Sequence, residues 1–346
     1  MGILLVPYPA RGHVSPFLAV AAELVRRGAS VRVVVAAEYA GAVRAAGAVP
    51  VVTGPAGGAR VAPGWRPADL ADRYRSATER RRIAEEFRLV WQQELRAGPP
   101  SLVVLDPHAR WLRSLCSGAP AAWLWTTSPR FLGAEPALVN GLAELTPGNR
   151  RNAGPVRFLG PLLGGLREAV PPIVHERPAR RLAVVSYGTV FARRAAELTA
   201  VIRSFRGTDW LVVLATGAVP VGALGRLPGN VFASRSIPQA DLVRRADVLV
   251  THGGMNSVLE AASAGVPMLL APRSREQSRT AARLIALGVA APAGGAHEVR
   301  ERVERLVGTA RVAADVRRLR ELVSSAPGAA AAAEQLLDLW AVRRMC

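Results

Sequence analysis

The sequence predicts an α/β protein built as two Rossmann-like, doubly wound parallel-sheet domains facing a cleft. Three observations carry that expectation. Short apolar runs alternate with helical patterns, strand first, in both halves of the chain. A stretch rich in Gly and Pro, about residues 160–180, separates the halves. The 346 residues are 50% hydrophobic and 21% charged, which supplies two ordinary cores and excludes global disorder.

The first half opens on Ile3 to Pro7, a continuous apolar run that reads as a buried strand. Ser15-Pro16 reads as an N-cap with proline at the first helical position, and that helix runs to Arg27 and Gly28. Ser30 to Ala36 is the next strand. A short Ala-rich helix stops near Gly47, and Val49 to Val52 follows as a third strand. Residues 55–66 are rich in Gly, Pro and Ala and read as loop. From Pro67 to Arg96, Leu70, Tyr74, Ala77, Ile83, Phe87, Val90, Trp91 and Leu95 recur at helical spacing. Ser101 to Asp106 and Ala121 to Trp125 are two more strands, and residues 127–180 break the rhythm.

The alternation then restarts. Leu182 to Ser186, Trp210 to Ala215, Val231 to Ala233, Asp247 to Val250 and Pro267 to Ala271 read as strands. Ala192 to Arg206 and Asn256 to Ala264 read as helices, and helices fill the rest up to Trp340. The expected division is a first domain over residues 1–160, a linker over 161–180 and a second domain over 181–328. A C-terminal helix over 329–346 is expected to pack back on the first domain.

Composition removes several chemistries. The charge balance is +19, from 45 basic and 26 acidic residues, and every basic residue is Arg. Without lysine there is no P-loop lysine, no Schiff base and no pyridoxal phosphate chemistry. The arginines are scattered and often sit beside glutamate, as in Glu79, Arg80, Arg81, Arg82, Glu85 and Glu86. That pattern reads as a solvated surface and not as a nucleic-acid site. Cys116 and Cys346 alone make neither a disulfide framework nor a zinc site. The N-terminal run has no basic segment before it and is interrupted by Pro7 and Pro9, so it reads as a strand, not a signal peptide. No apolar stretch approaches the roughly 20 residues of a membrane span. The expected location is the cytoplasm.

The strongest local signal is Thr251-His252-Gly253-Gly254-Met255-Asn256-Ser257, followed by Glu260. It lies where a strand gives way to a helix. Free backbone N–H groups and a positive helix dipole bind phosphate at such a junction. Gly253 and Gly254 permit close approach, His252, Asn256 and Ser257 add side-chain donors, and Glu260 suits ribose hydroxyls. Glu276-Gln277 follows the next strand, where a carboxylate beside an amide suits sugar hydroxyls. His13 lies just past the first strand, where a neutral imidazole can take the proton of an acceptor hydroxyl. Asp106 ends another strand and can orient that imidazole, with His108 competing for either role.

The run from Pro238-Gln239 through His252-Gly253-Gly254, Asn256-Ser257, Glu260, Gly265-Val266-Pro267 and Glu276-Gln277 resembles the donor-binding signature of the UDP-glycosyltransferase family. The likeness is to its bacterial branch, which glycosylates antibiotics such as macrolides. Ser186-Tyr187-Gly188-Thr189 is similar to the turn after the first strand of that family's donor domain. Phe158-Leu159-Gly160-Pro161 is similar to its linker entry, and Gly12-His13-Val14-Ser15-Pro16 to its first N-terminal loop. The resemblance implies the GT-B fold and inverting, metal-independent transfer, which the absence of any Asp-x-Asp fits. It implies no cofactor beyond a UDP- or TDP-sugar co-substrate, with a small-molecule natural product as acceptor.

By the same resemblance His13 is the base and Asp106 its partner. Ser15, Ser186, Thr189, His252, Gly253, Gly254, Asn256 and Ser257 belong around the diphosphate. Glu260 belongs on the ribose, Gln239 near the base, and Glu276 and Gln277 on the donor sugar. Two departures stand out. The family's aromatic residue before Pro-Gln is missing, and Arg235 is the planar group left to stack on the base. The chain is also several dozen residues shorter than typical members, chiefly between Thr126 and Leu138. That leaves an open cleft for a bulky acceptor, a homodimer or auxiliary protein that completes the acceptor site, or reduced activity. Two other functions share these residues: a membrane-associated transferase acting on a lipid-linked acceptor, and a non-catalytic partner of another transferase.

Overall fold

Two all-parallel sheets organise the protein, one in each half. The computed structural model describes residues 2–53, 77–116, 118–127, 135–146, 156–164, 166, 169–176, 181–188 and 194–342.

The first half contains β1 (Gly2–Val6), α1 (Arg11–Arg26), β2 (Ser30–Ala36), α2 (Ala40–Ala45), β3 (Val49–Thr53), α3 (Ala77–Ala97), β4 (Leu102–Leu105), β5 (Ala121–Trp125), β6 (Ala137–Val139) and β7 (Val156–Phe158). Its strand order is β3-β2-β1-β4-β5-β6-β7. β1, β4 and β5 are almost wholly buried, as their unbroken apolar runs require in a sheet covered on both faces. Alternate residues of β1 serve the two faces. Ile3 and Leu5 meet Phe17, Val20 and Leu24 of α1, while Leu4 and Val6 meet Phe87 and Trp91 of α3.

After α4 (Pro172–Glu176), the second half follows with β8 (Leu182–Ser186), α5 (Ala195–Ser204), β9 (Leu211–Ala215), β10 (Val231–Ser234), α6 (Gln239–Val243), β11 (Val248–Thr251), α7 (Met255–Ala264), β12 (Met268–Leu270), α8 (Arg275–Ala286), β13 (Ala290–Pro292), α9 (Val299–Val307), α10 (Ala310–Ser324) and α11 (Gly328–Val342). Its order is β10-β9-β8-β11-β12-β13. Both sheets therefore run 3-2-1-4-5-6 from their own first strand, and β7 extends the first sheet by a seventh. The order reverses between β1 and β4 in one sheet and between β8 and β11 in the other. Open α/β sheets place ligands at that switch point, outside the carboxyl ends of the strands.

Two apolar crossings tie the halves together. Ala332, Ala333 and Leu336 of α11 join the core beside α1 in the first half. In the other direction, Leu142 and Leu145, just past β6, join the core of the second half with Leu284 and Val316. At the crossing, Gly160 has φ +62°, and a Cβ there would lie 2.2 Å from Cβ of Ala326, so only glycine fits. The Gly328 N–H, at the start of α11, donates to the Leu159 carbonyl at 2.6 Å.

The structure departs from the sequence reading in two places. α1 begins at Arg11 and not at Ser15, because the N–H groups of His13 and Val14 both donate to the Ala10 carbonyl and close the first turn upstream. Pro16 consequently lies inside the helix, where its missing N–H leaves no donor for the Gly12 carbonyl. β6, β7 and β13 are three-residue strands, too short for an alternation to register, and β13 ends on Pro292 at the sheet edge. Within the described residues the helix expected from Pro67 begins at Ala77, and its earlier part lies outside them.

Residues 126–136 alone connect the parallel neighbours β5 and β6. A parallel crossover ordinarily takes a dozen or more residues and a helix. Glu135, near the end of this short connection, accepts from Arg113 Nε at 3.2 Å and Trp123 Nε1 at 3.3 Å. Among the described residues no helix is long and apolar enough to cross a membrane.

The docking of α11 has a measurable consequence. Leu336→Ala, at a fully buried position, is expected to destabilise the protein by about 2–5 kcal/mol. The neighbouring Leu337, only partly buried, is expected to lose less on the same change, and thermal unfolding of the two variants compares them.

Candidate active site

The first half-site sits at the switch point between β1 and β4. The Asp106 N–H donates to the Val6 carbonyl at 3.0 Å and locks the two strand ends together. Asp106 follows β4 directly and its side chain is wholly buried. His13 lies in the first turn of α1, and its Nδ1 is 2.7 Å from Asp106 Oδ2. An ionised carboxylate only accepts, so Nδ1 carries the hydrogen and Nε2 keeps the lone pair. Thr126, just past β5, places Oγ1 at 2.6 Å from His13 Nδ1 and 3.3 Å from Asp106 Oδ2.

The other carboxylate oxygen is also engaged. Asp106 Oδ1 accepts from the His108 backbone N–H at 2.8 Å and lies 3.2 Å from His108 Nδ1. Burial pushes the Asp106 carboxyl up. The pull of the His13 ring when it is protonated, the hydrogen bonds from His108 and His13, and the pull of the His108 ring when it is protonated outweigh burial and hold it below the usual carboxylate range. Tyr8 closes the group, with its ring centroid 5.0 Å from that of His13 and 5.8 Å from that of His108.

The second half-site sits at the switch point between β8 and β11. Ser186 ends β8 and is buried, and Gly188 follows with φ +78°. Thr189 lies outside the described residues. His252 follows β11, and its ring fills the space between two glycines. A Cβ on Gly188 would come within 2.7 Å of its Cε1, and one on Gly254 within 2.6 Å of its Nε2. Gly253 has φ +81°, the left-handed turn that starts α7. Gly254 is the N-cap, and as a glycine it offers no side chain to the first N–H groups of the helix.

One network joins four of the expected donor-site residues. Gln239 Nε2 donates to Ser257 Oγ at 2.9 Å and to Glu260 Oε2 at 2.6 Å. Asn256 Nδ2 donates to Glu260 Oε1 at 3.1 Å. Burial pushes the Glu260 carboxyl up to about 7, against the hydrogen bond from Gln239 and the charges of Arg11 and Arg244. Arg11 lies in α1, two residues before His13.

The remaining expected residues are less concentrated. Ser15 lies half-buried in α1, one turn past the helix start. Arg235 is exposed just past β10, with β9 between it and β8. Glu276 and Gln277 begin α8, capped by Ser274 Oγ, which accepts from Gln277 N–H at 3.2 Å. The Gln277 side chain turns inward, and its Oε1 accepts from the Arg273 N–H at 2.7 Å. Its carbonyl end thus shapes the loop and does not face outward. Sequence reasoning missed Thr126, Tyr8 and Arg11. Their positions beside the carboxyl ends of β5 and β1 were the available signal.

Comparison with known proteins follows this geometry. A family model for erythromycin biosynthesis protein CIII-like proteins, C-terminal domain, matches residues 199–339. The matched segment contains α7, the His252 turn and the Gln239–Glu260 network. The chain is 35% identical over 133 residues to an NDP-glycosyltransferase of Bacillus subtilis, covering 38% of this chain and 34% of that protein. It is 26% identical over 335 residues to a demethyllactenocin mycarosyltransferase of Streptomyces fradiae, covering 81% of this chain and 72% of that protein. The aligned part thus spans about a third of the Bacillus protein. The structure of the calicheamicin glycosyltransferase CalG4 superposes with a TM-score of 0.73 at 26% identity, covering 98% of both chains. The architecture is the GT-B fold, and the chain is similar in sequence and fold to bacterial antibiotic glycosyltransferases.

The raised Glu260 carboxyl predicts a pH dependence of stability. Between its ordinary value near 4.5 and about 7, the folded protein keeps a proton that the unfolded chain has released. Stability therefore falls as pH rises through that window, by on the order of 3 kcal/mol. Glu260→Gln is expected to remove this component, so that its melting temperature gains on the native protein at about pH 8 and not at about pH 4. Melting curves at the two pH values check this.

Proposed function

We propose that the protein is an inverting, metal-independent glycosyltransferase. It moves a sugar from a UDP- or TDP-sugar to a hydroxyl of a natural-product acceptor. The observation that carries this reading is the buried Asp106 carboxylate on Nδ1 of His13, at a switch point facing a glycine-flanked phosphate turn. The glycosyltransferase names of the relatives support the reaction class.

The chemistry follows from the residues. Nε2 of His13 takes the proton of the acceptor hydroxyl as its oxygen bonds to the anomeric carbon. The bond from that carbon to the diphosphate breaks on the opposite face, which inverts the configuration. Asp106 balances the imidazolium and fixes its tautomer, while Thr126 braces the same Nδ1 edge. Charge builds on the departing diphosphate. In this reading the N–H groups that start α7, the imidazole of His252 and the guanidinium of Arg11 receive it. Ser15, Ser186 and Thr189 belong to the same diphosphate pocket. Glu260 takes the ribose hydroxyls, with Gln239 and Arg235 toward the base and Glu276 and Gln277 toward the sugar.

The acceptor side carries a second inference within this reading. The short connection over residues 126–136 limits the wall beside β5, which suits a bulky acceptor or a partner protein that completes the site. Tyr8 and His108 offer ring surface next to the base.

Thermal stabilisation by UDP, TDP, GDP and ADP at matched concentrations tests the donor half. Preferential stabilisation by UDP or TDP is expected, and equal stabilisation by all four removes the base pocket. His13→Ala is expected to cut turnover by roughly 10²-fold or more while nucleotide affinity stays nearly intact. His252→Ala is expected to weaken nucleotide affinity, and normal UDP and TDP binding in that variant would take His252 out of the pocket.

A further inference from the structure

Arginine is used differently on α8 than on other helices. On α1, α9 and α10, arginines lie one turn from a carboxylate and pair with it: Arg26 with Glu23, Arg300 with Glu304, Arg305 with Glu301 and Arg318 with Asp315. On α8, Arg275, Arg279 and Arg283 follow one another at i,i+4 spacing, so successive turns of one exposed face carry only cations. Like charges at that spacing repel. Arg275 also opens the helix, where the dipole disfavours a cation. Arg283 is engaged, because its Nε donates to the Glu144 carbonyl of the first half at 2.8 Å. Among the described residues no carboxylate pairs with Arg275 or Arg279.

These two guanidiniums border an open cavity of about 690 Å³, lined also by Arg273, Ser274 and Ser278. Arg273 already has a carboxylate, with Nη2 at 3.5 Å from Glu197 Oε2. The volume is that of a small-molecule site and is far larger than a bare inorganic anion requires. The cavity begins just past β12, on the loop that leads into Glu276 and Gln277 at the carboxyl edge of the second sheet. The Gln277 side chain turns inward onto the Arg273 N–H, so the exposed charged donors of this loop are its guanidiniums.

We propose that the cavity at the start of α8 binds the carboxylate of a sugar acid, so that the transferred sugar is a hexuronic acid. A carboxylate is planar, and its two oxygens match the donor fork of a guanidinium. Seated between Arg275 and Arg279, it supplies the counter-charge that the helix lacks and converts their repulsion into attraction. The hydroxyls of Ser274 and Ser278 remain for the sugar hydroxyls. A neutral hexose in the same place leaves the two cations uncompensated.

This inference rests on the proposed transfer reaction for its nucleotide, and a second measurement is free of it. Calorimetry compares UDP, UDP-glucose and UDP-glucuronate on the native protein and on the double variant Arg275→Gln/Arg279→Gln. The native protein is expected to bind UDP-glucuronate roughly tenfold more tightly than UDP-glucose. The double variant is expected to bind the two alike, with UDP affinity unchanged. Arg305→Gln/Arg311→Gln removes the same charge elsewhere on the surface and is expected to keep the preference. UDP binding without a preference for UDP-glucuronate overturns the proposal and leaves the transfer reading standing, and a preference that survives in the Arg275→Gln/Arg279→Gln protein overturns it as well. The second measurement is thermal stabilisation by free D-glucuronate against D-glucose at matched ionic strength. Stabilisation by glucuronate alone, lost in the double variant, keeps the acid site even where no nucleotide binds and the transfer reading fails. Equal effects of the two sugars together with no preference in calorimetry refute the site. Both substitutions relieve repulsion at exposed positions, so the unliganded double variant is expected to melt no lower than the native protein at low salt. A lower melting temperature would show the guanidiniums to be structural and overturn the proposal.

Discussion

Everything at the site depends on two strand pairings between residues far apart in sequence, β1 with β4 and β8 with β11. Each pairing reverses the order of its sheet and leaves a crevice at the carboxyl edge. The first puts Asp106 beside the loop that carries His13, 93 positions earlier. The second puts the Gly188 turn beside His252, so close that a methyl group on either flanking glycine would collide with the ring. Neither pair of residues is near in the chain. The register Val6↔Leu105 and Thr251↔Ser186 brings them together, and close packing of both buried faces of these strands against the flanking helices holds that register.

The two site carboxylates show how one force gives opposite outcomes. Burial pushes both Asp106 and Glu260 up. Asp106 has two imidazoles and a backbone N–H in contact, which reverse the effect of burial and keep it ionised. Glu260 has amide donors in contact and arginines only at longer range, with the Asp241 charge opposing them, so burial prevails. The difference matches the proposed tasks. A group that balances an imidazolium must be charged throughout. A group that meets neutral ribose hydroxyls need not be.

The fold was legible because parallel strands covered on both faces are written as unbroken apolar runs. Ser30 to Ala36, Ala121 to Trp125 and Leu182 to Ser186 match the observed strands residue for residue. β6 and β7 were not legible, since they rest on neighbours that sequence does not reveal and lie in a stretch dominated by Pro and Gly. The start of α1 was misread for a physical reason. Ser-Pro is a strong local capping signal, yet the tertiary placement of His13 against Asp106 accompanies a turn closed at Ala10, and proline is tolerated at the resulting position. His13, Asp106, His252 and Glu260 were legible as strand-end residues. Thr126 was not, because a threonine after a strand is common and only the distance to His13 distinguishes it.

The arginine-only surface completes this division of roles. Much of it is neutralised locally. On α9, Arg300 pairs with Glu304 at 2.7 Å and Arg305 with Glu301 at 2.6 Å, the i,i+4 spacing that aligns side chains on one helix face. Exposed pairs of this kind contribute about 0–1 kcal/mol each, so they do not explain the fold. The +19 balance leaves a positive field beyond them, and such a field concentrates anions near the surface. A nucleoside diphosphate sugar is an anion of that kind. Guanidinium stays protonated across the working pH range, so the field does not change as the site titrates. In the proposed reaction, recruitment of an anionic donor and proton transfer at His13 are therefore governed by separate groups.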